Sequence, residues 1–177
     1  EFVTGKSIYL LFYVNQNGDI FSLSQENILQ QPAGKSIIAA RTSDVHLKDI
    51  CNSYKDMLTK LSYRGLIMIE LRKHNDDYYM IEANPRFWGP SQLFVDSGYN
   101  FFEVFLQDYG FDIKPNLATE VRPTRYFWHG GLSDTIKNGG MVVKLTQEKI
   151  DIDEWKIIDI YNRQDTLEIY EIEKYEG

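Results

Sequence analysis

The sequence predicts an α+β fold, a mainly antiparallel sheet with helices packed on one side. Three observations carry that prediction. Segments of alternating hydrophobicity come in adjacent pairs joined by turn-forming clusters, Asn17-Gly18-Asp19 in one case and "HNDD", residues 74–77, in the other. One long segment changes to three- and four-residue apolar spacing. The chain has 177 residues, 43% apolar and 14% aromatic, which is enough for one domain with a real core and too much for disorder.

The elements follow in order. "SIYLLFYVNQNGDIFSLS", residues 7–24, reads as two strands around a turn. "QENILQQPAGKS" reads as a loop, and "IIAA" as an apolar stretch after it. From Thr42 to Ser62, Leu47, Ile50, Cys51, Tyr54, Met57, Leu58 and Leu61 recur at helical spacing. Thr42 or Ser43 is the expected cap, and Gly65 the expected end. Residues 66–72 and 78–84 form a hairpin, and a short helix spans about 101–108. Beyond residue 119, "VRPTRYFWHGG" suggests a strand and a glycine turn, and residues 133–137 a helical turn. "MVVKL" suggests a strand and "DEWKIIDIY" a helix. No repeat or linker marks a second independent domain.

Composition narrows the function. A formal net charge of -7 and a pI near 5.0 argue against a nucleic-acid binder, which needs a basic stripe, but leave room for a phosphate ligand. Cys51 is the sole cysteine, so no internal disulfide forms, which fits a reducing compartment. No apolar run approaches the ~18 residues of a membrane span, and no signal peptide is evident. The expectation is a soluble cytoplasmic protein with no membrane partner. The chain opens on "EFVTG" without Met, so a fragment of something longer is expected.

The hairpin carries the chemistry. With a three-residue turn at 75–77, Glu70 falls opposite Glu82, Met68 opposite Asn84, and Arg72 opposite Met80. The other face, Ile67, Ile69, Leu71, Tyr79, Ile81 and Ala83, reads as core. Two carboxylates side by side with an amide next to them suit a hard divalent cation, Mg²⁺ or Mn²⁺. They equally suit an exposed polar face in which the glutamates pair with Arg72 and other cations. Pro85 ends the ladder, and Arg86 emerges just past the acids, where a guanidinium can hold an anion. Phe87 and Trp88 read as core.

At these residues the sequence resembles the C-terminal half of an ATP-grasp ligase. The pattern is an acid on one strand, Glu70, then a turn and an "IE-x-N-x-R" strand, here "IEANPR". "NPRFWGPSQL" looks most like carboxylate–amine ligases related to carbamoyl-phosphate synthase. The resemblance implies two Mg²⁺ ions held by Glu70, Glu82 and Asn84, bridging the phosphates of ATP, with Arg86 holding phosphate or acyl-phosphate. "EFVTG" resembles the hinge whose backbone meets adenine, here Glu1, Phe2 and Val3. The implied activity converts a carboxylate to an acyl-phosphate, with ATP going to ADP, for attack by an amine. The implied organisation is a subdomain over 1–110 and an extension over 111–177 packed on it. Two features depart from the pattern. Ser7 stands where the family commonly has a ribose-gripping Glu. The phosphate-binding lysines of the family lie upstream of the hinge, so the missing N-terminal half is a required partner. The alternative is an inactive ATP-grasp-like module that binds nucleotide or a partner.

Other signals are weaker. "GKS" at 34–36 lacks the P-loop glycine, since that position is Leu29. Arg41 reads as an ion-pair partner, His46, His74 and His129 show no metal spacing, and Cys51 reads as core.

Overall fold

Strand β1, Lys6–Val14, is buried at eight successive positions from Ser7 to Val14. Such a run requires cover on both faces of the strand. β1 lies inside a sheet ordered β5-β4-β1-β2-β3-β6, with β7 paired to β2. The remaining strands are β2 Ile20–Gln30, β3 Ile37–Thr42, β4 Gly65–His74, β5 Asp77–Asn84, β6 Arg125–Phe127 and β7 Val143–Lys144. The helices are α1 Asp49–Lys60, α2 Ser91–Asp96, α3 Phe101–Asp108, α4 His129–Lys137 and α5 Ile152–Lys156. The computed structural model describes residues 3–159 and 166. All the strand pairs are antiparallel. The α+β class and the mainly antiparallel sheet are as the sequence predicts.

The helices lie on both faces rather than one. Tyr9, Leu11 and Tyr13 of β1 pack with Leu93 and Phe94 of α2 and Phe101 and Val104 of α3. Ile8, Leu10, Phe12 and Val14 pack with Cys51 and Leu58 of α1. Because side chains alternate along a strand, an unbroken apolar run demands two covering layers. Trp88 is buried in the first of these clusters and Phe87 packs against it, as expected of core residues. The Tyr13 hydroxyl donates to the Asp108 carboxylate at 2.6 Å, tying the end of β1 to the end of α3.

Three local readings change. The expected loop at 25–36 is strand as far as Gln30, because Gln25, Glu26 and Asn27 are buried polar residues on a central strand. Helix α1 begins at Asp49, not at Thr42 or Ser43. Ser43 is instead bound to β2, its N–H donating to the Ser24 carbonyl and its hydroxyl to the Ser24 hydroxyl. The expected glycine turn at 130–131 lies inside α4. Both glycines lie against the Trp128 indole, where a Cβ would collide with the ring. Helix α5 closes at Lys156, and the end of the expected helix, at Tyr161, lies outside the described residues. Cys51 is fully buried, and Arg41 pairs with Glu26 and Glu148.

Gly5 sets the approach of the chain to β1. Its φ is +127°, and a Cβ there would run into the Lys73 carbonyl of β4. Gly5→Ala combines backbone strain with overpacking and is expected to cost about 2–4 kcal/mol in a urea unfolding curve. A loss well below ~1 kcal/mol would show that the β1–β4 junction shifts freely.

Candidate active site

The β4–β5 hairpin positions the acids. Met68 lies opposite Asn84, Ile69 opposite Ala83, and Glu70 opposite Glu82, the register the alternation predicts. Nearer the turn the register differs. Only Asn75 and Asp76 form the turn, and Ile81 is a bulge residue without a partner. Two departures from the expected hairpin therefore cancel at Glu70, since the turn is one residue shorter and the bulge one residue longer. Between them Arg72 meets Tyr79, and Leu71 meets Met80, rather than Arg72 meeting Met80.

The expected core face of β5 is not core. Tyr79 and Ile81 are 43% and 49% exposed, and Ala83 is exposed too. Ile67, Ile69 and Leu71 of β4 are buried. The reason is position: β5 is the edge of the sheet, and of its residues only Tyr78 packs against the cluster that α1 covers.

Around Glu70 the environment is dry and polar. Tyr9 of β1 lies opposite it, and Ser7 opposite Arg72. Glu70 Oε1 accepts from Ser7 Oγ at 3.3 Å and is ion-paired with Arg72 Nη2 at 3.2 Å. Ser7 Oγ accepts from Asn27 Nδ2 at 3.0 Å, and Asn27 Oδ1 accepts from Gln25 Nε2 at 2.7 Å. A buried chain of four side chains thus crosses β2, β1 and β4. Burial pushes the Glu70 carboxyl above its ordinary value; Arg72 and Ser7 pull it down, and Glu82 adds to the rise. The Tyr9 phenol is likewise held up by burial, Glu70 and Glu82, against the charges of Arg72 and Arg86.

Each ligand candidate has one atom engaged and one open. Asn84 Nδ2 donates to Glu82 Oε1 at 2.7 Å. A carboxylate can only accept, so the amide nitrogen must face Glu82 and Asn84 Oδ1 is turned away from that contact. Glu70 Oε2 and Glu82 Oε2 have no hydrogen-bond partner among the described residues. The set is three hard oxygens, which fits Mg²⁺ or Mn²⁺. No group of three or more His, Cys, Asp or Glu able to hold a metal occurs among the described residues. Two carboxylates and an amide suit an ion that keeps several waters and meets phosphate.

The remaining expected residues fall as follows. Arg86 is exposed just past β5; its Nη1 donates to the Phe87 carbonyl at 3.0 Å, and the rest of the guanidinium is open. Ser7 is buried onto Glu70. Val3 is half-buried and stands at most about 14 Å along the chain from Ser7. Glu1 and Phe2 lie outside the described residues. Sequence reasoning missed Tyr9, Gln25 and Asn27. Tyr9 lies inside an unbroken apolar run, and a run of Gln, Glu and Asn reads as loop. Two clefts of about 620 and 680 Å³ lie beside Thr42 and Pro123, away from the acids.

No family model and no curated protein matches the chain. Solved structures do. The ATPase subunit of phosphoribosylaminoimidazole carboxylase from Aquifex aeolicus aligns over 71% of this chain and 38% of its own, with TM-score 0.56 and 18% identity. Phosphoribosylglycinamide synthetase from Anaerococcus prevotii aligns over 71% and 35%, with TM-score 0.55 and 13% identity. Pyruvate carboxylase from Rhizobium etli aligns over 66% and 12%, with TM-score 0.50 and 16% identity. These are ATP-grasp enzymes, and the likeness read from "IEANPR" holds at the level of the fold. The chain spans little more than a third of the first two structures and about an eighth of the third. No helix among the described residues is long and apolar enough to cross a membrane.

The raised Glu70 carboxyl makes a stability test. The folded chain holds that proton more tightly than the unfolded chain, so this contribution falls as pH rises above 4.5. Glu70→Gln removes the slope. In chelator, the variant is expected to overtake the wild type by up to ~1 kcal/mol as pH rises to about 8. His46, buried against Ser24 and pushed down, slopes the other way in both chains and cancels in the difference. A wild type that gains on the variant as pH rises would show that the Arg72 ion pair outweighs burial.

Proposed function

We propose that this chain is the metal-gripping half of an ATP-dependent ligase that activates a carboxylate as an acyl-phosphate for attack by an amine. The observation that carries the reading is Glu70 opposite Glu82, with Asn84 on the same face, on an ATP-grasp fold. The names of the neighbours, an ATPase subunit and a synthetase, support it. When bound, the divalent cation supplies charge neutralisation to the phosphates of ATP. Glu70 offers Oε2, Glu82 offers Oε2 and Asn84 offers Oδ1. Arg86 offers a guanidinium at the rim, suited to a transferring phosphoryl group or the acyl-phosphate. The backbone about Glu1 to Val3 would meet adenine. The substrate carboxylate attacks the γ-phosphate and releases ADP; the amine then displaces phosphate. No protein nucleophile takes part in this scheme.

The proposed partner is the N-terminal half that supplies the phosphate-binding lysines. In the proposed division at residue 110, the extension belongs to the same sheet, since β6 pairs with β3 and β7 with β2. One observation favours the inactive-module alternative: Ser7 is committed to Glu70 and Asn27, so no side chain at that position reaches for ribose.

Arg86→Lys separates the readings. Lysine keeps the charge and loses the planar fork. In the complete protein, ADP formation with the variant is expected to fall about 10- to 100-fold. Unchanged ADP formation would make Arg86 a surface cation, and none from the wild type would favour the binding module.

A further inference from the structure

We propose that Arg72 is a resident cation of the acid face, which takes the place of a second metal ion so that the site accepts one divalent ion instead of two. The inference rests on the reading of Glu70, Glu82 and Asn84 as the metal-binding group. It departs from the two-ion arrangement that the family resemblance implies.

The Glu70 side chain is 9% exposed, that of Arg72 is 20% exposed, and the two meet at 3.2 Å. A pair so withdrawn from water is weakly screened. Arg72 is pinned on both sides, with Ser7 opposite on β1 and Tyr79 opposite on β5. The two-residue turn sets the second of those pairings, and the bulge at Ile81 then returns Glu70 to Glu82. Ser7 donates to the same Glu70 oxygen. With one hydrogen bond and one ion pair on Oε1, Oε2 is the oxygen left open to a metal. Glu82 has the same limit, because Asn84 Nδ2 holds its Oε1.

The consequence is a count of ligands and charges. Two ions close together need at least one carboxylate that bridges them with both oxygens, and Glu70 can do so only once Arg72 leaves Oε1. Here each side chain offers a single oxygen, and three such oxygens suit one ion. Arg72 also cancels one of the two carboxylate charges. What remains is one negative charge, which attracts a first divalent ion and opposes a second.

Mn²⁺ is the probe, read by electron paramagnetic resonance on the complete protein with ADP. The wild type is expected to hold one Mn²⁺ per chain with an uncoupled spectrum. Arg72→Met should hold two, with the exchange-coupled spectrum of ions about 4 Å apart. With Mn²⁺ alone, Arg72→Met should bind the first ion about tenfold more tightly, since a neighbouring cation is gone. Arg72→Lys keeps the charge and should stay at one ion. A coupled pair in the wild type would overturn the inference, and needs no variant to be seen. One ion at unchanged affinity in Arg72→Met would also overturn it and leave the metal site standing. No Mn²⁺ bound by the wild type would overturn the metal reading itself, and the inference with it.

Discussion

Burial of the Glu70 carboxylate is the constraint to which the surrounding structure answers. A charged group withdrawn from water is costly unless it is paired and hydrogen-bonded. Arg72 supplies the charge and Ser7 the hydrogen bond. Ser7 is itself buried and needs Asn27, and Asn27 needs Gln25. This chain of requirements explains why β2 runs on to Gln30 through residues that look like loop. A strand end with nothing polar to meet would have no use for Gln25 and Asn27 at full burial.

The same constraint explains an asymmetry in the hairpin. On β4 the polar face is nearly closed, because β1 lies alongside it and helices cover both sides of the central strands. On β5 the pairing partner is gone on one side, and apolar residues stand in water. Glu70 and Glu82 are therefore neighbours in different surroundings. Glu70 is held by protein donors, whereas Glu82 is exposed and answers to Asn84 alone among the described residues. A cation arriving at this face meets one fixed oxygen and one adjustable carboxylate. That combination suits an ion that must exchange with nucleotide, and it is consistent with the proposed ligase chemistry.

The aromatic cluster beneath the site has a mechanical part. Trp88 contacts Phe94 and Phe101, and Phe87 contacts Phe102 and Phe105. These rings begin one residue after Arg86. The chain that leaves β5 is thus anchored at once into α2 and α3, which limits where the Arg86 guanidinium can swing. Pro85 ends the ladder and the ring contacts anchor the exit, so the Arg86 guanidinium is presented at the rim from a packed segment.

The sequence by itself determined the α+β class, the Glu70–Glu82 pairing, the α3 helix and the ATP-grasp likeness in "IEANPR". Each is a local or near-local pattern: alternation across a short turn, or apolar residues at helical spacing. Tertiary structure decided the rest. Which faces of the sheet are covered depends on helices arriving from distant segments, so β5 could not be read as exposed from its own apolar residues. The bulge at Ile81 and the shorter turn cancel at Glu70, and period-two counting sees neither. Asn27 becomes strand because a buried serine on another strand meets it, and Gln25 in turn meets Asn27. Hydrogen bonds that cross 20 and 63 residues of chain leave no periodic trace in the sequence, and only folding brings their partners together.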